Sequence, residues 1–232
     1  MNNHICSCER CQHKICAKRV PIFSTLNSEE INKVVNLIIR KRYSRGEMIV
    51  LEGSHLDRLI IINSGKVKAF RNTFEGKEQI LYIFSQGDFF GEKNLLINQT
   101  AQYNVEALEE THVCTIKKND FKNLLREYPE IGLKIIEELC NRLERLENAV
   151  ENMGTKNAEE RVSAVLLEFA RKYGKESQNG IIVELPLSRE GIANYIGVAR
   201  ETVSRKMNML QEEGIIEMVG NKKVIIRNID AL

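Results

Sequence analysis

The stretch Leu187-Ser188-Arg189-Glu190-Gly191-Ile192-Ala193-Asn194-Tyr195-Ile196-Gly197-Val198-Ala199-Arg200-Glu201-Thr202-Val203-Ser204-Arg205 decides the architecture of this 232-residue chain. Ser188, with Arg189 and Glu190 behind it, reads as a helix start whose hydroxyl accepts an orphan backbone N–H. Ile192, Ala193 and Ile196 give that helix one apolar face. Gly197 permits a tight turn, and Val198 and Val203 fall where a second helix, 200–212, packs back on the first. The pattern is a helix-turn-helix. It leaves Arg200, Glu201, Ser204 and Arg205 projecting together from the first turns of the second helix.

Those residue types suit the major groove of double-stranded DNA. Arginine donates to guanine O6 and N7 together, glutamate accepts from cytosine N4, and serine serves a base or a phosphate. A solvated charged face is the bland alternative. The position directly after the turn glycine, and before a basic turn at Lys222 and Lys223, favours DNA. That turn belongs to an expected hairpin: Ile215–Val219, Gly220-Asn221, Val224–Ile226. The unit as a whole, 155–232, opens at Asn157-Ala158-Glu159-Glu160-Arg161 with a helix through Val162, Val165, Leu166 and Phe169. Bulk charge carries none of this, since 34 Lys and Arg meet 32 Asp and Glu for a net charge of +2. Any basic surface comes from local placement.

Before this unit lies a long helix, 129–154, beginning near Pro129 and closing at Gly154. Ile136, Leu139, Leu143, Leu146, Val150 and Met153 alternate steps of three and four along it, with Glu144, Arg145, Glu147 and Glu151 around them. A buried helix shows the same stripe, but polar outer faces favour the seam of a homodimer. Cys140, next to Leu139, reads as a small packed hydrophobe.

Between about 43 and 117, short runs rich in β-branched and aromatic residues (48–51, 59–62, 67–70, 79–84, 112–116) are punctuated by Gly46, Gly53, Gly65, Gly76 and Gly87. Regular glycine punctuation predicts hairpins in an antiparallel roll or barrel. A helix start at Asn27 or Ser28, with Ile31, Val34, Val35 and Ile38 at helical spacing, precedes it.

Of the six cysteines, Cys6, Cys8, Cys11 and Cys16 crowd the first 21 residues, and Cys114 and Cys140 lie apart. The start MNNHICSCER has no apolar core of an export signal, so a cytoplasmic protein is expected. No apolar run of 18 residues is present, so no membrane partner is expected. Without export, a disulfide framework explains such a tract poorly, and metal or redox chemistry explains it better. Four thiolates suit an iron–sulfur cluster or zinc, with His4 and His13 able to take part; a thiol–disulfide switch is the third option. An electron-transfer enzyme is disfavoured. There is no Gly-x4-Gly-Lys phosphate loop, and no second group of His or carboxylate ligands accompanies the cysteines.

Roll, long helix and winged helix-turn-helix, in that order, resemble the cyclic-AMP receptor protein/FNR family of bacterial transcription regulators. The resemblance runs over 22–232. Its specific pieces are Gly65-Lys66-Val67, Gly87-Asp88-Phe89-Phe90-Gly91-Glu92, Asn157-Ala158-Glu159-Glu160-Arg161, and Ile196-Gly197-Val198 leading to Glu201-Thr202-Val203-Ser204-Arg205. It implies an α+β chain with a cysteine arm (1–21), a cyclic-nucleotide-binding-like β-roll (22–128), a dimerisation helix (129–154) and a winged helix-turn-helix domain (155–232).

The resemblance also implies roles. Glu201, Ser204 and Arg205 are where the FNR branch reads bases, and Arg200 is where the cyclic-AMP branch adds a guanine contact. The operator is then palindromic, its half-site combining TTGAT and TGTGA features. RNA polymerase is implied as a partner, met by roll loops such as 73–77. The cyclic-nucleotide branch binds ribose through a Gly-Glu pair and phosphate through a later Arg-Ser pair. Here Gly91-Glu92 is present, but the later segment, Asn98-Gln99-Thr100-Ala101-Gln102-Tyr103, has no arginine. No cyclic nucleotide is therefore expected, and Gly91 and Glu92 read as turn and cap residues. FNR-type members carry three N-terminal cysteines and a fourth on the roll. The matching set is Cys8, Cys11, Cys16 and Cys114, with Cys6 as the alternative to Cys8. The implied cofactor is a 4Fe-4S cluster sensing oxygen or redox state, with zinc as the alternative. The last arm gap is one residue shorter than the family's spacing. The seam is apolar at Leu146, so the chain is expected to remain dimeric without a cluster.

Overall fold

The computed structural model describes Ala17, residues 20–97 and residues 99–232. Cys6, Cys8, Cys11 and Cys16 lie outside the described residues. Two compact units divide the chain: residues up to 69 with 83–143, and 70–82 with 144–232.

The first unit begins with a 3-10 turn, Pro21–Phe23, and helix α1, Ser28–Leu37. The start of α1 is set by a reciprocal cap. Asn27 Oδ1 accepts from the N–H groups of Glu29 (2.9 Å) and Glu30 (3.1 Å), and Glu30 Oε2 accepts from Asn27 N–H at 2.7 Å. The strands of the roll follow as β1 (Ile39–Tyr43), β2 (Met48–Val50), β3 (Arg58–Ser64), β4 (Val67–Asn72), β5 (Glu78–Phe84), β6 (Phe89–Phe90), β7 (Asn104–Ala107) and β8 (Thr111–Lys117), of which residues 70–82 in β4 and β5 belong to the second unit. They form two four-stranded sheets, ordered β1-β8-β3-β6 and β2-β7-β4-β5. The five punctuating glycines all adopt positive φ, between 77° and 90°. At Gly65 a Cβ would lie 2.5 Å from Thr111 Oγ1 and 2.6 Å from the Glu110 carbonyl.

Leu59, Ile60, Ile61 and Ile62 of β3 are all buried, which marks a strand covered on both faces. Leu59 and Ile61 join Phe23, Ile31, Phe121 and Ile131 in one core beneath the helices. Alternation sends Ile60 and Ile62 to the other side. Three strands lay beyond sequence expectation: β1, which reads Ile-Arg-Lys-Arg-Tyr and is mostly exposed, the two-residue β6, and β7. Short helices α2 (Glu92–Ile97) and α3 (Lys118–Glu127) were likewise unexpected.

Helix α4, Pro129–Thr155, has 27 residues and is about 40 Å long. Gly154 does not close it. Lys156 N–H still bonds the Asn152 carbonyl at 3.1 Å, and the chain leaves the helix only where Asn157, in extended conformation, caps the next one.

The second unit contains α5 (Ala158–Tyr173), β9 (Gly174–Ser177), β10 (Gly180–Glu184), α6 (Arg189–Ile196), α7 (Arg200–Glu212), β11 (Ile216–Val219) and β12 (Lys223–Ile226). Its core gathers Val162, Leu166, Phe169, Ile192, Val203, Met207, Leu210 and Val224. The expected terminal hairpin is β11–β12, but it forms half of a four-stranded sheet ordered β11-β12-β10-β9. Among the described residues no helix is long and apolar enough to cross a membrane.

Candidate DNA-reading face and cysteine recess

Ser188 caps α6, its Oγ accepting from Gly191 N–H at 3.1 Å. Gly197 ends the helix in the left-handed region, φ 68° and ψ 45°, a geometry that a Cβ would strain. Two side chains then satisfy the last carbonyls of α6. Arg161 Nη1 donates to Ile196 O at 3.2 Å, and Gln79 Nε2 approaches Tyr195 O at 3.5 Å. Tyr195 stacks on Phe169 and donates its hydroxyl to Glu168 at 2.9 Å. Burial, with Glu168 beside it, holds that phenol above its ordinary pKa.

With Val203, Met207 and Leu210 inward, α7 turns its other side out. Arg200, Glu201 and Arg205 are exposed there and Ser204 is half-buried, so helical spacing brings the four expected base-contacting residues onto one side. Two acidic partners were not anticipated. Arg200 lies 3.9 Å from Glu190, both well exposed. Arg205 donates from Nε (3.1 Å) and Nη2 (3.0 Å) to one oxygen of Glu159. The sequence flagged Glu159 within a helix start; nothing local linked it to a residue 46 positions away. At the wing turn Lys222 is exposed and Lys223 is half-buried.

On β8, Cys114 is 7% exposed and pairs in register with Arg40 of β1. Its side lines a recess shared with Ala17, Val20, Phe23, Arg40, Ile61 and Asn63. Ala17 is the residue that follows Cys16 in the sequence. Among the described residues no group of three His, Cys, Asp or Glu could hold a metal ion. Cys140, read as a packed hydrophobe, is exposed on α4.

Glu92 is not a simple cap. It is 2% exposed, and its Oε1 accepts from Arg142 Nη1 of α4 at 3.2 Å. Arg142 also donates to Phe89 O (2.6 Å) and Glu138 (3.3 Å). Its guanidinium carbon lies 5.3 Å and 4.7 Å from the ring centroids of Phe84 and Phe89. Glu92 Oε2 is buried with no hydrogen-bond partner. Burial pushes the Glu92 carboxyl above the usual range, with Arg142 opposing. A partner 50 residues distant left no sequence signal. Gly91 does turn the chain, at φ 96°, and its Cβ would lie 2.8 Å from the Arg58 carbonyl.

Along α4, Ile131, Ile135 and Arg142 are buried in the roll, and Leu139 is half-buried against its core. Ile136 (57%), Leu143 (56%), Leu146 (40%), Val150 (70%) and Met153 (54%) are exposed, as is Leu133.

Two family profiles match: the cyclic nucleotide-binding domain over residues 40–128 and the Crp-like helix-turn-helix domain over 160–232. The chain is 30% identical over 213 residues to the probable transcriptional regulator flp of Lacticaseibacillus casei, covering 92% of this chain and 94% of that protein. It is 31% identical over 203 residues to electron transport regulator A of Shewanella oneidensis, covering 87% of this chain and 81% of that protein. Its fold is similar to that of FixK2 from Bradyrhizobium japonicum, with a TM-score of 0.75 and 26% identity over 84% of this chain and 94% of that one.

Proposed function

The chain belongs to the CRP/FNR family of DNA-binding transcription regulators, and from that premise we propose that it is a homodimeric, FNR-like sensor of oxygen or redox state. It is a regulator and not an enzyme, as its matched domains and relatives are. The observation that carries the sensing proposal is the recess in which Ala17, the residue after Cys16, meets Cys114. Thiolates of Cys8, Cys11, Cys16 and Cys114 would hold a 4Fe-4S cluster, with Cys6 the alternative to Cys8. When bound, the cluster supplies a redox-labile tie between the arm and β8. The protein's own residues do the rest. Apolar walls from Val20, Phe23 and Ile61 limit water at Cys114, and Arg40, its register partner on β1, lines the same recess.

Dimerisation through α4 is supported by the exposed row Ile136, Leu143, Leu146, Val150 and Met153 on a helix whose first half is packed through Ile131, Ile135 and Arg142. Each copy then presents Arg200, Glu201, Ser204 and Arg205 to one half of a palindromic operator. RNA polymerase would meet exposed loops such as 73–77, where Phe74 stands fully exposed. A cyclic nucleotide does not fit this reading, because Glu92 is engaged by Arg142 and the segment Gln99–Tyr103 offers no arginine to a phosphate.

Metal analysis of protein purified without oxygen tests the proposal. About four irons with matching sulfide per chain, lost in Cys114→Ala, are expected. One zinc per chain would make the arm structural, and absence of both metals would leave thiol redox chemistry in its place.

A further inference from the structure

We propose that Glu159 is a positioning residue that determines specificity: it grips the Nε edge of Arg205 and so presents the opposite edge, already oriented, to a guanine. This rests on reading Arg205 as a base-contacting residue. Glu159 stands in the first turn of α5, whose backbone is fixed by the cap in which Asn157 Oδ1 accepts from Glu159 N–H (2.9 Å) and Glu160 N–H (3.0 Å). Val162, Leu166 and Phe169, all buried, anchor the same helix. The carboxylate is thus held on rigid structure, with its side chain 33% exposed against 62% for Arg205.

The geometry uses the arginine selectively. A guanidinium has five N–H donors in a planar fork. Glu159 Oε1 takes one from Nε and one from Nη2, at 3.1 Å and 3.0 Å. Both Nη1 protons and the second Nη2 proton remain, and one Nη1 proton with that Nη2 proton forms the end-on edge that matches O6 and N7 of guanine. Holding a long side chain in place beforehand removes ordering cost from the binding step. Arg200 offers the internal contrast, with a 3.9 Å approach to an exposed Glu190.

A passive acidic residue near DNA and a positioning one predict opposite signs. Removing a passive negative charge strengthens binding to every duplex. Removing a positioning carboxylate weakens discrimination at one base pair. The test uses the full chain and a palindromic duplex recovered by the wild-type protein from a random pool, with a set carrying single base-pair changes and one unrelated duplex. Affinities are compared for wild type, Glu159→Ala, Glu159→Gln, Arg205→Ala and the Glu159→Ala/Arg205→Ala double variant. Glu159→Ala is expected to lose roughly three- to fivefold in discrimination, centred on the base pair that Arg205→Ala relaxes. Glu159→Gln, which keeps one acceptor, should retain part of it. In the Arg205→Ala background the Glu159 change should do nothing to base preference. Thermal unfolding identifies any loss of fold, and the Gln variant still reports if Glu159→Ala is destabilised. Unchanged discrimination, or tighter binding to all duplexes alike, would overturn the proposal. Should Arg205→Ala itself leave base preference intact, the premise fails and takes the proposal with it.

Discussion

In the roll, Arg142 is 8% exposed and spends its guanidinium on Glu92, Glu138, the Phe89 carbonyl and two aromatic faces. On the DNA-binding unit, the Arg205 side chain is 62% exposed and gives one edge to Glu159. The same side chain is fully committed in one place and half-committed in the other. The difference follows the two tasks. In the roll the polar groups Glu92 and Arg142 turn inward to partners far along the chain. A DNA-reading unit must keep donors for an outside partner, so its polar groups turn outward and are held only as firmly as orientation requires. Changes in the first should cost stability, and changes in the second should cost specificity.

The largest effect is expected from Arg142→Ala, which strands a buried carboxylate. A loss of about 3–5 kcal/mol in urea unfolding is expected. The Glu92 pKa is raised in the fold, so the folded state holds its proton more tightly than the unfolded chain does. Acidification through that raised pKa neutralises the stranded group, and the gap to wild type should therefore narrow as pH falls. Arg142→Met with Glu92→Gln removes both charges and should cost far less than the single change. Equal losses would break the contrast between committed and half-committed arginines.

Next, Leu146→Glu places a charge in the exposed row of α4. Roughly 2–4 kcal/mol of dimerisation free energy over two copies is at stake, visible as a monomer by sedimentation at micromolar concentration. Wild type should stay dimeric with or without a cluster. Arg205→Ala comes third. It should relax one base pair by about 1–3 kcal/mol while leaving the unfolding midpoint where it was. A lowered midpoint would mean that the outward arginine also carries the fold. The smallest is Asn157→Ala, a lost cap worth about 1 kcal/mol of stability and without effect on iron content.

What the sequence disclosed follows the same division. The helix-turn-helix was legible because its determinants are local: a cap at Ser188, a left-handed turn at Gly197 and apolar spacing at Ile192 and Val203 all lie within one short stretch. The glycine punctuation announced the roll because each glycine serves its own turn. Strand β1 was hidden, since Arg40, Lys41 and Arg42 are held there by pairing with β8 and not by their own propensity. Strands β9 and β10 were not read from the sequence, and α2 was hidden by its six-residue length. At the sites, the residues expected to face DNA were readable one by one. Their acidic partners, and the Glu92–Arg142 pair, were not, because periodicity carries no information about a partner 46 or 50 residues away. Cys114 was found only through resemblance, and its nearness to Ala17 came from tertiary packing.

The central claim is that the arm and Cys114 govern DNA affinity. One experiment addresses it directly: operator binding by protein purified without oxygen, followed during air exposure, with iron content and sedimentation recorded on the same samples. The account predicts about four irons per chain at the start, affinity falling in step with their loss, a particle that remains dimeric, and a Cys114→Ala variant that binds weakly and ignores air. Affinity that is indifferent to air, or that falls while iron stays bound, would contradict it.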